Sequence, residues 1–279
     1  MMDSAGPLPP KRFASARAAV AHVLADLPPA VGLLPLAAGL AIWELIGRQS
    51  PTVSPYFPQP SAWWTGVADL ARSGRLGPAF LATVTTLLAG IVLAALIGAV
   101  LGLVIGISPR TRRALGPLLE FVRAIPPPAV VPLAILFLGY DERMKLTVVA
   151  LAALWPILLN TASAAERINP LLLDVARSFR LSRLDRIRRV IAPAVVPAVL
   201  LGIRVALPLA IVVTLLVEIL TSIDGIGALM IRAQRNFQSG QVYGLLVLVG
   251  LFGYLVNDVF AVIEAVVLRR FPPRNTARI

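Results

Sequence analysis

The 279-residue chain has no cysteine, one histidine and two lysines, and only 14% of its residues are charged. Without cysteine there is no disulfide, no thiolate metal site and no thiol nucleophile. The single histidine, His22, falls in a polar N-terminal stretch and reads as a solvated side chain. A phosphate-binding loop needs Gly-Lys followed by Ser or Thr, but Lys11 follows Pro10 and Lys145 follows Met144. The chain therefore carries no such motif, and ATP hydrolysis, if used, has to come from a partner. The acids near apolar runs, Glu44, Glu120, Glu218, Asp258 and Glu264, have no metal-ligand spacing, which disfavours a membrane-embedded hydrolase. No metal or cofactor is expected on this chain.

Apolar residues dominate instead. They make up 58% of the chain, and the mean hydropathy is +0.83, above the ~45–50% apolar share of a soluble domain. One stretch, 76–109, has no charge at all. About 20 apolar residues cross a bilayer as a helix, and six candidate spans follow: 30–46, 79–107, 116–139, 146–165, 194–220 and 242–268. The expected class is an all-α polytopic membrane protein, with tails at 1–29 and 269–279 around a transmembrane domain at 30–268. Residues 1–29 lack the apolar core and cleavage site of a secretory signal and read as a retained tail. The third candidate contains Glu120, Arg123 and Pro126-Pro127-Pro128, a run that is expected to interrupt its helical hydrogen-bond ladder, and the fifth contains Arg204 and Pro208.

Lys and Arg in the connecting segments set the orientation. With the N-terminus in the cytoplasm, 17 of the 26 basic residues fall on the cytoplasmic side and seven outside, with Arg123 and Arg204 within spans. Both termini are expected in the cytoplasm of a cell with this protein in its inner membrane. The net charge of +12 is then largely a topology signal, with no nucleic-acid partner implied. Within the second span, Gly90, Ala94, Gly98, Gly102 and Gly106 recur every fourth residue, a stripe that lets a second helix approach closely. Packing within one subunit is the favoured use of that stripe.

Residues 166–193 are too polar to span. Asn169 before Pro170 reads as an N-cap with proline at the first helical position, and Leu172, Val175, Ala176 and Phe179 form an apolar stripe. Ser182 with Asp185 three residues on resembles a capping box that opens a second short helix through Arg189. The expectation is a knob of two short helices joined by a sharp turn. Its seven arginines also fit a segment lying on anionic membrane lipid, and the pattern alone does not separate that from protein docking.

The order Asp174-Val175-Ala176, three residues, Arg180, nine residues, Val190-Ile191-Ala192-Pro193 resembles the EAA loop of binding-protein-dependent ABC importer permeases. That pattern is Glu-Ala-Ala, three residues, Gly, nine residues, Ile, any residue, Leu, Pro. The segments EFVRAIPPPAVVPLAILFLGY and ALWPILLNTASA are similar to the branch associated with nitrate, taurine, aliphatic sulfonates, bicarbonate and some pyrimidine precursors of thiamine. The resemblance implies a permease homodimer, two ATPase subunits holding ATP and Mg at its cytoplasmic face, and an extracytoplasmic solute-binding protein. It also implies that Asp174, Ala176, Phe179, Arg180, Leu181, Ser182, Asp185 and Pro193 couple the permease to the ATPase. Arg180 stands where the family carries a glycine. Either the turn has another geometry there, or Arg180 adopts a left-handed conformation at a cost of roughly 1 kcal/mol. An ion-coupled secondary transporter using intramembrane acids is the alternative reading.

Charges at membrane depth cost at least ~2.5–3.5 kcal/mol each and need a reason. Arg123, Pro126, Pro127, Arg204 and Glu218 are the candidates for the translocation pathway. Glu120 lies on the same helix face as Arg123, so an ion pair within the span competes with a role toward an anion. Arg204 and Glu218 are 14 residues apart in one span and cannot pair with each other. Glu218 is expected near the outer end, where it could help close a gate.

Overall fold

A computed structural model describes residues 33–49 and 56–270; the expected N-terminal tail lies outside those residues, as does the expected C-terminal one except for Arg269 and Arg270, which belong to the last helix. The chain divides into two units, Met1–Ser61 and Ala62–Ile279. In the first, helix α1 (Leu33–Gln49) has 17 residues, about 25 Å against a hydrocarbon core of about 30 Å. Its Glu44 accepts hydrogen bonds from Arg48 Nε at 2.7 Å, from the Ser61 amide at 3.0 Å and from the Ser61 hydroxyl at 2.8 Å.

Described residues of the second unit are helical, with no strand among them. They form α2 (Pro60–Arg72, reaching back into the first unit), α3 (Leu76–Ile107), α4 (Pro109–Arg123), a 3₁₀ turn at Pro127–Val130 and α5 (Val131–Leu138). After these come α6 (Glu142–Glu166), α7 (Pro170–Ser178), α8 (Arg183–Thr221), α9 (Ile226–Arg235) and α10 (Ser239–Arg270). Helices α3, α6, α8 and α10 are long and apolar enough to span, and α4 with α5 makes a fifth span if the bent pair counts as one. Six were expected; α1 has 17 residues, and residues 30–32 of the expected first span lie outside the described residues.

The small-residue stripe of α3 seats α6. A Cβ on Gly90 would meet Val149, on Gly98 Ile157, on Gly102 Thr161, and on Gly106 Ala165. Both partners rise in number together, so α3 and α6 run parallel in close contact, as the stripe predicts for packing within one subunit. Helix α8 packs on α6 as well, where Gly202 abuts Pro156 and Ile157. The core between these helices includes Leu87, Val148, Val149, Ile157, Ala206, Ala210 and Val217.

Parallel neighbours force the intervening chain to return along their whole length. The segment between Ile107 and Glu142 does so through α4, the 3₁₀ turn and α5, bent by 88°. The break falls at the triproline, as expected, while the helical run of this segment begins at Pro109, ahead of the expected start at 116. Ser108 caps α4, its hydroxyl accepting from the Thr111 amide at 3.2 Å. Pro126, Pro127 and Pro128 cannot donate backbone hydrogen bonds, and Pro126 holds an extended ψ of 129°, so the helical ladder stops at Ala124.

A second correction concerns the knob. Its second helix does not end at Arg189 but runs unbroken from Arg183 to Thr221, 39 residues or about 58 Å, nearly twice the bilayer core. The join is a π-helical stretch at Ile187–Ile191, where Ala192 donates to the carbonyl of Ile187. Pro193, lacking an amide and crowding the carbonyl four residues back, favours this widened turn over a regular α-helix.

Candidate functional site

Helix α7 is set by its ends. The Asn169 side chain accepts from the Leu171 amide at 2.9 Å, with Pro170 at the first helical position. At the other end the Arg180 amide donates to the Arg177 carbonyl at 2.8 Å and the Leu181 amide to the Ala176 carbonyl at 3.1 Å. These two bonds are a Schellman closure, which requires a left-handed residue between cap and exit. Arg180 is that residue, with φ +51°. The alternative left open by the sequence is thus resolved: the turn keeps the left-handed geometry and an arginine occupies it. Ser182 then opens α8, accepting from the Asp185 amide at 3.1 Å while its hydroxyl donates to the Asp185 carboxylate at 2.6 Å.

The apolar residues of α7 divide between two faces, where a single stripe was expected. Ala176 is buried, and Leu173 packs on the cluster of Ala165, Ile191 and Val195, tying the helix to α6 and α8. Leu171, Val175 and Phe179, spaced by four residues, remain exposed, Phe179 by 77%. Asp174 is held by Arg177 at 2.7 Å. The structure brings Asp174, Ala176, Phe179, Arg180, Leu181, Ser182 and Asp185 together within α7, its turn and the first turn of α8, while Pro193 stands within α8 beyond the π-helical stretch. At the root of the knob, Glu166 pairs with Arg112 of α4 at 2.8 Å.

The pathway candidates do not converge. Arg123 ends α4 beside the break, exposed and with no ion pair or hydrogen bond from its side chain among the described residues; the expected pair with Glu120 is not formed. Pro126 and Pro127 form the break itself. Arg204 pairs with Glu264 of α10 at 3.3 Å. An apolar cleft of about 300 Å³ between α3, α6 and α8 is lined by Val100, Leu103, Thr161, Val195 and Val199, with Thr161 its sole polar member. That lining suits hydrocarbon, not a polar solute.

Glu218 lies at the end of the bundle away from α7 and is completely buried. The Thr83 hydroxyl lies 2.9 and 3.1 Å from its two carboxylate oxygens, the Gly227 amide donates to it at 2.9 Å, and Lys145 Nζ is 3.6 Å away. Lys145, also fully buried, donates to the Asp224 carbonyl at 2.8 Å and pairs with Glu142 at 2.9 Å. Sequence reasoning counted Lys145 among connecting-segment charges and missed Thr83, Gly225 and Gly227. The available signal was a lysine four residues after the helix-capping Asp141, on the inward side of an apolar helix. Removing Lys145 costs about 3–5 kcal/mol, because Glu218 is left a buried charge without a cation, whereas Lys145 without Glu218 keeps Glu142.

Comparison with known proteins places these features. Residues 94–271 match the family model described as the binding-protein-dependent transport system inner membrane component. The chain is 31% identical over 238 residues to a putative aliphatic sulfonates transport permease of Bacillus subtilis (strain 168), covering 85% of this chain and 86% of that one. It is 32% identical to a nitrate import permease of Leptolyngbya laminosa, over 60% of each chain. A bicarbonate transport system permease of Synechococcus elongatus is 31% identical over 68% of each. Among solved structures, an inward-facing conformation of the MetNI methionine ABC transporter superposes with a TM-score of 0.60 at 14% identity, covering 71% of this chain and 98% of that chain, a likeness of fold. A knob built on a left-handed turn, a helix pair bent at the triproline and a match over 94–271 lead to one assignment: this chain belongs to the family of binding-protein-dependent transport system inner membrane components, the permeases of ABC importers.

Proposed function

We propose that this chain forms, as a homodimer, the translocation pathway for a small anion such as a sulfonate, taurine, nitrate or bicarbonate. Separate ATPase subunits, carrying ATP and Mg, dock on residues 166–193 in the cytoplasm, and a solute-binding protein delivers the anion from outside. The observation that carries the reading is the exposed stripe of Leu171, Val175 and Phe179 on a helix whose other face is packed into α6 and α8. An apolar stripe left uncovered on a polar loop needs a partner. The arginines flanking it belong partly to the inside-facing charge bias, so the stripe and its left-handed turn weigh more than the charge. The anionic class is supported by the substrates named for the relatives, and by Arg123, an exposed cation without a partner among the described residues beside the break in the third span.

Reconstitution with the cognate ATPase tests this directly. Loaded binding protein is expected to stimulate ATP hydrolysis and uptake together. Uptake driven by a proton gradient without ATP would instead establish the ion-coupled alternative. Thermal-shift screening of the cognate binding protein against sulfonates, nitrate, bicarbonate and pyrimidines identifies the substrate, and a pyrimidine hit with no anion response removes the anionic class.

A further inference from the structure

At the end of the bundle away from α7, four helices and a loop meet around two buried charges: Lys145, outside the coupling and pathway candidates, and Glu218, which the sequence offered as a gate residue. Helix α9 begins there without a cap of its own, since Gly225 has no side chain to offer. Its first two amides are satisfied from other helices. The Ile226 amide donates to the Thr83 hydroxyl of α3 at 2.9 Å, and the Gly227 amide donates to the Glu218 carboxylate of α8 at 2.9 Å. Lys145 of α6 closes the arrangement, reaching Glu218 and the carbonyl of Asp224 in the loop that leads into α9.

Two glycines make room for this approach. A Cβ on Gly225, where φ is +159°, would overlap the Glu218 carboxylate. A Cβ on Gly227 would stand 2.6 Å from the Leu215 carbonyl and 2.8 Å from Glu218 Cβ. Glu218 and Lys145 are each 0% exposed, so moving α9 away from α8 takes the Gly227 amide from the buried carboxylate and the Asp224 carbonyl from the buried ammonium, or admits water to both charges. Either course opposes independent motion of α9.

We infer that Lys145 and Glu218 are positioning residues that lock α9 to the adjoining ends of α3, α6 and α8, so that these elements move as one body during transport. The lock itself is independent of the transport reading, which enters only through uptake as a second readout.

The test uses the absence of cysteine in the chain. Arg235→Cys, at an exposed position near the end of α9, carries a spin label in the full importer in membranes. The parent label is expected to report an immobilised helix. Lys145→Met is expected to mobilise it and to lower uptake at least about tenfold. Lys145→Met with Glu218→Gln removes both charges while keeping an acceptor for Gly227, and is expected to restore label order and bring uptake to within about threefold of the parent. A spectrum unchanged by Lys145→Met overturns the inference, as does a double variant as mobile as the single one. Should Lys145→Met fail to accumulate, Thr83→Val, which changes no charge, is expected to loosen the label partially, and an unchanged spectrum again overturns the lock. An ordered label in a parent that shows no ATP-driven uptake sinks the transport reading and leaves the lock standing.

Discussion

Arg180 concentrates the tension between chain chemistry and backbone geometry. A left-handed φ of +51° at a residue with a side chain costs of order 1 kcal/mol relative to glycine, and the Schellman bonds around it show that the surrounding structure meets that cost. Arg180→Gly is therefore expected to raise the unfolding free energy of the chain in detergent by about 1 kcal/mol, measured by denaturant titration. Arg180→Val is expected to lower it, because branching at Cβ worsens the left-handed clash. Arg123 makes a different kind of claim, about a ligand. Arg123→Gln is expected to reduce uptake by about 10–100-fold, the loss of one charge-assisted hydrogen bond to an anion, while binding of the ATPase subunits stays intact. Equal uptake by the two proteins would leave Arg123 a snorkelling side chain.

Among the elements, α3 and α7 show two ways of using a helix face. The glycines of α3 bring its backbone against α6, so Gly102→Val, whose Cβ would stand 2.6 Å from the Leu158 carbonyl and 2.7 Å from Thr161 Cβ, is expected to destabilise by about 1–3 kcal/mol or more through overpacking. A thermal-melt comparison with Gly116→Val, where a Cβ meets nothing within 4 Å, separates packing from helix propensity. On α7 the exposed face is the informative one. Phe179→Ala removes a side chain that is 77% exposed and is expected to leave folding within about 0.5 kcal/mol while abolishing most binding-protein-stimulated ATP hydrolysis. The pattern in sequence located α7, its caps and its turn, but it merged the two apolar faces into one. Nothing in a helical repeat tells which side of a short amphipathic helix meets its own core.

At the scale of the whole molecule, much of the architecture was legible in the amino-acid order. Long charge-free runs, the glycine spacing of α3 and the Asn-Pro and Ser-Asp caps are local signals, the first two acting in lipid and the caps in the polar segment between spans. Membrane solvent makes the spans legible, because a backbone without water to bond must close its hydrogen bonds within its own segment. Only tertiary structure decided three further things. It set the size of the bend at the triproline, 88°, since the return between parallel α3 and α6 has to be fitted to what those prolines allow. It extended the fifth span down to Arg183, since the π-helical stretch relieves Pro193 without ending the helix. It also buried Lys145 against Glu218, 73 residues away, a partnership no local pattern encodes because it exists only where α3, α6, α8 and α9 meet.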